Sequence, residues 1–189
     1  AKLYWRKSLR SLAADRKENG SRTSQRTSLS AATTETLKAF SLRAQLSFET
    51  LIAAAWSLAL MREKRVSDVN VGVIARERPR GLPESEQIVG LLENILPLSL
   101  SLSSEESIHS WLREVESKRS ELQRYAHVST AQIKQWIDGD QPLFDSVVLF
   151  HESSLAFGDD LIIGEAVRFN RPINHPLALE AALGEELSL

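Results

Sequence analysis

Hydrophobic positions recur along this chain with two different spacings, and the change of spacing marks out its elements. Leu3, Leu9 and Leu12 are the apolar positions of a short helix over residues 3–14. The polar stretch from Asp15 to Ser28, with Asn19-Gly20 as a turn signal, predicts a loop or linker. Leu37, Phe40 and Ala44 share one face at i, i+3 and i+7, which predicts a helix from Thr34 to Ala44 capped by Thr33 or Thr34. Ser47 is a second N-cap and opens a helix from Phe48 to Glu63 that is apolar almost all round through Ala53-Ala54-Ala55-Trp56. A helix of that kind is buried on several sides.

The spacing then switches to two. Val69, Val71 and Val73 predict a strand, and Leu96, Leu98, Leu100 and Leu102 predict another, with Pro97 placing it at a strand start or a sheet edge. Between them Arg76 to Pro83 is a charged loop with two prolines. Ser104 caps a long amphipathic helix over 105–125, whose inner stripe is Ile108, Trp111, Leu112, Val115, Leu122 and Tyr125. A shorter helix spans Thr130 to Ile137. The continuous apolar run Val147-Val148-Leu149-Phe150, within Ser146 to His151, predicts a buried strand. Residues 166–187 predict two short strands, with Pro172 and Pro176 between them. Helices and strands are mixed, so the class is α/β or α+β, and no internal repeat is visible.

Composition narrows the function classes. The chain has 189 residues, 42% hydrophobic and 25% charged, an ordinary globular balance. It has no cysteine, which excludes disulfides, thiolate metal sites and a cysteine nucleophile and fits a reducing cytosol. No signal peptide is present at the N-terminus, and the longest apolar region, Leu51 to Met61, is too short to span a bilayer. The chain begins with Ala1 and has a single methionine, Met61, which suggests a piece of something longer; tag removal or N-terminal processing would give the same start. Net charge is −2, but residues 1–30 hold eight Lys or Arg against two acidic residues. A basic arm can meet nucleic acid or an acidic partner. It can equally be a solvated linker, and no aromatic residues interleave with the basic ones after Trp5, so base stacking is not suggested.

Local chemistry is sparse. The four histidines, His109, His127, His151 and His175, fall in different elements without zinc-ligand spacing. There is no G-x-S-x-G elbow, P-loop or G-x-G-x-x-G. His127, just after the long helix, can serve as a general base or pack as a loop histidine. His151-Glu152, at the end of a buried strand, can face a cleft or mark where the strand meets solvent.

Four ordered segments resemble the condensation domain of non-ribosomal peptide synthetases, specifically its C-terminal lobe. Tyr4-Trp5-Arg6 is similar to the start of the second half of such domains. The helix Ser47 to Leu60 leads into Asp68-Val69-Asn70-Val71-Gly72-Val73 as the family's Ala-Trp helix leads into an Asp-Val-x-x-Gly strand, and Arg78-Pro79 stands where Gly-Arg-Pro is common. Val89 to Leu98 resembles Val-Gly-x-Phe-x-Asn-Thr-Leu-Pro-x-Arg through Gly90, Asn94, Leu96 and Pro97. Gln141-Pro142-Leu143-Phe144-Asp145 resembles the Pro-Leu-Phe before a strand that often ends in Glu-Asn, and the tail at Asn174-His175-Pro176-Leu177 resembles a later Tyr-Pro-Leu segment. Ser99 and Glu77 depart from the family's Arg and Gly.

The resemblance implies a chloramphenicol acetyltransferase-like (CoA-dependent acyltransferase) lobe, a mixed sheet flanked by helices. It divides the chain into an N-terminal helix and basic linker, 1–30, and a partial C-terminal lobe, 31–189. It implies amide-bond formation between a carrier-bound acyl or peptidyl thioester and a carrier-bound amino acid, in a cytoplasmic synthetase. The expected partners are peptidyl carrier domains, the N-terminal lobe of the same domain and an adjacent adenylation domain, with no nucleic acid and no membrane. No cofactor is expected to bind directly, since phosphopantetheine arrives on the carriers. The family's His-His-x-x-x-Asp-Gly motif belongs to the N-terminal lobe and has no counterpart here, so no catalytic residue is expected in this chain and the isolated chain is expected to be inactive. Asn94 is the candidate for the substrate tunnel, or alternatively a brace for the turn before the Pro97 strand. Gly90, Pro97, Arg78 and Phe144 are motif or structural positions. A non-catalytic scaffold or carrier-docking lobe, and a related CoA-dependent acyltransferase, are the alternatives.

Overall fold

A computed structural model of the chain describes residues 1–9, 23–76, 93–137, 142–144, 146–152 and 175–189. The elements in order are α1 (Lys2–Ser8), β1 (Ser28–Leu29), α2 (Ala31–Ala44), α3 (Phe48–Lys64), β2 (Asp68–Arg76), β3 (Glu93–Ser101), α4 (Ile108–Leu122), α5 (Thr130–Ile137), β4 (Ser146–Glu152), β5 (Leu177–Leu183) and β6 (Leu187–Ser188). A 3-10 turn, Gln123–Tyr125, continues α4. The strands form one six-stranded sheet in the order β1-β6-β5-β4-β2-β3. β4 runs parallel to β2 and to β5, and the other pairings are antiparallel. The sheet is therefore mixed, as expected.

Side chains alternate between the two faces of a strand. Trp56 of α3 donates its indole N–H to the Ser146 hydroxyl at 2.7 Å, which puts Ser146, Val148 and Phe150 on the face toward α3. The register carries Val71 and Val73 to that same face, opposite Leu98 and Leu96. Phe48, Ile52, Val148, Phe150, Ala181 and Leu187 make one buried cluster between α3 and the sheet. A larger one joins the β2 valines and β3 leucines to Ala53, Ala54, Leu60, Trp111 and Val115.

Several expectations shift by a turn or a face. α1 buries Trp5 and, as expected, Leu9 next to it, while Leu3 is 85% exposed, so of the leucine positions Leu3 is off the inner face; Leu12 lies outside the described residues. α2 starts earlier than predicted, because Ser30 is its cap and accepts the Thr33 N–H at 3.3 Å. Thr34 is instead buried inside the helix, where its hydroxyl accepts the Leu187 N–H at 2.9 Å, and Phe40 is 39% exposed. Ser47 caps α3 as expected. Ser107, not Ser104, caps α4, which leaves Ile108 at 54% exposure in the first turn rather than in the inner stripe. β5 follows Pro176 and β6 follows β5; residues 166–174, where the first of the two expected strands falls, lie outside the described residues. β1, two residues in the polar stretch, was not expected; it pairs with β6, and Thr27 and Leu189 exchange backbone bonds beside it. No single described helix is long and apolar enough to cross a membrane.

β3 is an edge strand, and Pro97 lies in its middle. Proline lacks the N–H that a ladder needs. The carbonyls of Ser99 and Ser101, in the same alternate set as Pro97, accept from Lys118 Nζ at 3.4 Å and from the Trp111 indole at 2.8 Å. That set points away from β2, so Pro97 costs no ladder bond, and α4 side chains cover part of the outer edge.

Candidate functional site

The expected site residues separate to opposite faces of the sheet. Asn94 pairs in register with Ala75 and lies on the α3 face, in line with Leu96, Leu98 and Leu100. Its amide donates to the carbonyl of Ala126 at 3.0 Å and to that of Val128 at 2.7 Å. Both donors of the amide are thereby committed to the backbone between α4 and α5. Ala126 and Val128 are buried, and His127 between them is exposed. Asn94 sits within β3, so it does not brace a turn before that strand; it ties β3 to the corner that follows α4. Its Oδ1 is the atom left for any other role.

That corner is held from a second side. Tyr4 stacks on Tyr125 with ring centroids 4.3 Å apart, and Trp5 meets Tyr125 edge-on at 5.9 Å. Arg6 Nε donates to the Trp136 carbonyl at 2.7 Å. Burial, and then the Glu121 charge, push the Tyr4 phenol up to about 12. The Trp5 indole N–H is buried and has no hydrogen-bond partner among the described residues.

On the face away from α3, Pro97 lies opposite Gly72 in the ladder. Phe144, from the segment just before β4, packs over Gly72. A Cβ added there would stand 2.7 Å from the ring and 2.8 Å from Ile95. Phe144 also packs on His175, ring centroids 5.2 Å apart. Desolvation lowers the pKa of His175. Phe144 and Pro97 thus make packing and ladder contacts on this face. Arg78 and Gly90 lie outside the described residues.

The same face carries His151 near the end of β4. Its Nε2 is 2.9 Å from Glu180 Oε1 of β5. The sequence groups His151 with Glu152, but adjacent strand residues point to opposite faces, and the partner comes from the next strand. Glu180 was missed; its signal was a lone charge in the otherwise apolar run Leu177–Leu183. Among the described residues no group of three His, Asp or Glu could hold a metal ion.

On the α3 face, α3 and α4 are joined by charge. Glu116 accepts from the Ser47 N–H at 2.7 Å and the Ser47 hydroxyl at 2.9 Å. Arg119 donates to Ser47 at 3.0 Å and pairs with Glu49. Burial alone would raise the Glu116 pKa and is the largest single influence. The hydrogen bonds from Ser47 and Thr50 and the Arg119 charge together outweigh it, and the carboxyl falls below its ordinary value.

A family model described as the condensation domain matches residues 1–160. One of the linear gramicidin synthase proteins of Brevibacillus parabrevis is 32% identical over 167 residues, which is 85% of this chain and 3% of that protein. Chondramide synthase of Chondromyces crocatus is 32% identical over 163 residues, 80% of this chain and 4% of that protein. The chain thus spans a small fraction of the curated relatives it matches. Among solved structures, the condensation domain of the monacolin K polyketide synthase superposes with a TM-score of 0.75 at 15% identity, over 99% of this chain and 50% of that one. The X-domain from teicoplanin biosynthesis superposes with a TM-score of 0.65 at 19% identity, over 80% of this chain and 36% of that one. At these identities the superpositions establish the shared fold.

Proposed function

We propose, from the premise that this chain belongs to the condensation-domain family, that it serves as one lobe of an enzyme that forms amide bonds between carrier-bound substrates. The observation that carries the reading is the family match across residues 1–160, with synthases as the curated relatives. In this reading a donor acyl thioester and an acceptor amine, each delivered on a phosphopantetheine arm by its own carrier protein, meet at a wall to which this lobe contributes. The arms belong to the carriers, so the lobe needs no resident cofactor, and the setting is the cytoplasm. Holding the two reactants together supplies much of the acceleration in such a transfer. The Oδ1 of Asn94 is the atom that residue can still offer to a tunnel.

The chain alone is expected to be inactive. Its four histidines include no adjacent pair, so the family's His-His-x-x-x-Asp-Gly motif is not within it. That it is one lobe is supported by its spanning half or less of the solved chains it superposes on; that this lobe is the C-terminal one rests on the order of the motifs from Tyr4 to Phe144. The test mixes the 189-residue chain with loaded donor and acceptor carriers, alone and together with the complementary lobe of a condensation domain. Peptide only in the presence of that lobe is the expected result; peptide from the chain alone overturns it.

A docking role is the second reading. It is favoured by the likeness to an X-domain whose structure was also solved in complex with OxyB, where the superposition covers 99% of this chain with a TM-score of 0.73. Under it, the chain would bind carriers yet yield no peptide even when the complementary lobe is supplied.

A further inference from the structure

We propose that Tyr4 and Tyr125 are positioning residues for Asn94: the seating of α1 on the corner after α4 sets how firmly the Asn94 amide is held. The connection is short and closed. Tyr4 stacks on Tyr125 with ring centroids 4.3 Å apart, and Trp5 meets the two rings edge-on at 5.0 and 5.9 Å. The residues that flank His127, Ala126 and Val128, give their carbonyls to the Asn94 amide at 3.0 and 2.7 Å. The Val128 N–H returns to the Tyr125 carbonyl at 2.9 Å, so the residue with the stacked ring and the residue with the acceptor carbonyl share one hydrogen-bonded turn. The Ala126 N–H donates to the Gln123 carbonyl at 3.3 Å and fixes that turn to the end of α4. A closed turn shifts as a body, so a displaced Tyr125 ring carries with it the peptide groups that Asn94 holds.

α1 also grips the far side of the corner. α5 starts at Thr130, directly after it, with the Ser129 hydroxyl accepting the Gln132 N–H at 3.2 Å. Arg6 Nε reaches the Trp136 carbonyl in the last turn of α5 at 2.7 Å. Trp5 is the buried anchor of α1, whereas Tyr4 is only partly buried and lies with its ring on the turn. Coupling between two places needs an element with two arrangements that both places bias. α1 supplies it, because seven residues do not hold a helix in water and this one is helical only while seated. Short elements of this kind open at the low end of the range of local stabilities, without the core strands. When α1 lifts, Asn94 keeps its place in β3 and loses the fixed corner. In the condensation reading the seating of α1 then tunes the wall to which Asn94 Oδ1 contributes; only this use rests on that reading.

The test follows the Asn94 side-chain amide resonances and backbone hydrogen exchange in the isotope-labelled 189-residue chain. Tyr4→Leu removes the stack and keeps apolar bulk. It should move both Asn94 amide protons toward the shifts of a solvent-exposed amide. It should also speed exchange at residues 126–130 by about 5-fold or more, the lower end for coupled sites, with exchange in β4 unchanged. Tyr4→Phe keeps the ring and should restore the unmodified spectrum. Linkage is reciprocal, so Asn94→Ala should speed exchange of the Trp5 and Leu9 amides, which bond within α1. Should Tyr4→Leu fail to fold, Arg6→Gln, at an exposed contact, should move the same Asn94 resonances in the same direction. Asn94 resonances unmoved in Tyr4→Leu and Arg6→Gln, an equal change in Tyr4→Phe, or exchange in β4 that speeds up as much as in the corner overturns the proposal. With loaded carriers and the complementary lobe added, a raised KM for the acceptor carrier at unchanged kcat in Tyr4→Leu supports the use of the coupling in the reaction. An unchanged KM with shifted Asn94 resonances overturns that use. Absence of peptide from the unmodified chain in that mixture counts against the condensation reading and not against the coupling.

Discussion

Gly72 is the residue whose identity the fold constrains most visibly. Every other side chain would put a Cβ within 2.8 Å of the Phe144 ring and the Ile95 methyl. Phe144 is itself buried against His175, so the ring cannot swing aside without opening that contact. Gly72→Ala should therefore destabilise by about 1–3 kcal/mol, the usual cost of overpacking, read as a shift in the urea midpoint. Combining it with Phe144→Leu should recover part of the loss. Asn94 is constrained by hydrogen bonding rather than by space. Asn94→Ala leaves the Ala126 and Val128 carbonyls without their donor and should cost about 1–3 kcal/mol. Asn94→Asp should be at least as costly, because a carboxylate would face two carbonyl oxygens. Hydrogen exchange should show faster opening at residues 126–130 in both variants.

Between elements, the α3–α4 junction shows how one carboxylate can cap another helix. Glu116 sits in the middle of α4 yet binds the first residues at the N-terminus of α3, where the helix dipole favours negative charge. Its pKa is lowered in the folded chain. The stability it contributes is thus present above the ordinary carboxylate range and is lost as pH falls through the depressed folded value, because the unfolded chain takes up the proton first. Glu116→Gln should lower stability at neutral pH by on the order of 1 kcal/mol, given partial exposure. It should also flatten the acid limb of the stability–pH curve. An acid limb as steep as that of the unmodified chain would assign the loss to other carboxylates.

Taken whole, the molecule depends on a segment that is short and polar by sequence. α1 has seven residues, too few to be stable alone. It persists because Trp5 is fully buried, Tyr4 stacks on Tyr125 and Arg6 reaches the end of α5. Trp5→Ala should destabilise by about 3–5 kcal/mol, as large-to-small core changes do, and Tyr125 fluorescence should report the loosened corner before global unfolding. Trp5→Phe should cost less, since most of the aromatic bulk stays and the indole N–H makes no hydrogen bond among the described residues. A Trp5→Ala variant as stable as the unmodified chain would mean that α1 is dispensable to the core.

Sequence alone determined what depends on local periodicity. α3, α5 and β2 to β4 were legible because their apolar spacing spans whole elements, and the ordered motifs from Trp5 to Pro97 and Phe144 pointed to the family that the comparisons then established. Ser107 as the cap of α4 was not legible, because a run of serines offers several equivalent caps and packing chooses among them. The ends of α2 and α3 are legible to within a residue, at Ala44 and Glu63, from where the apolar spacing stops. They stop at Gln45 and Arg65 in the left-handed conformation, without the glycine that usually announces it. β1 has only two residues, and its partner lies at the far end of the chain. Tertiary structure alone decided which residues meet: Asn94 with Ala126 and Val128, Phe144 with Gly72, Glu116 with Ser47, His151 with Glu180. Each of those contacts depends on strand order and register, or on how helices settle against the sheet, which bring distant positions to one level, and no local pattern in the chain encodes that choice.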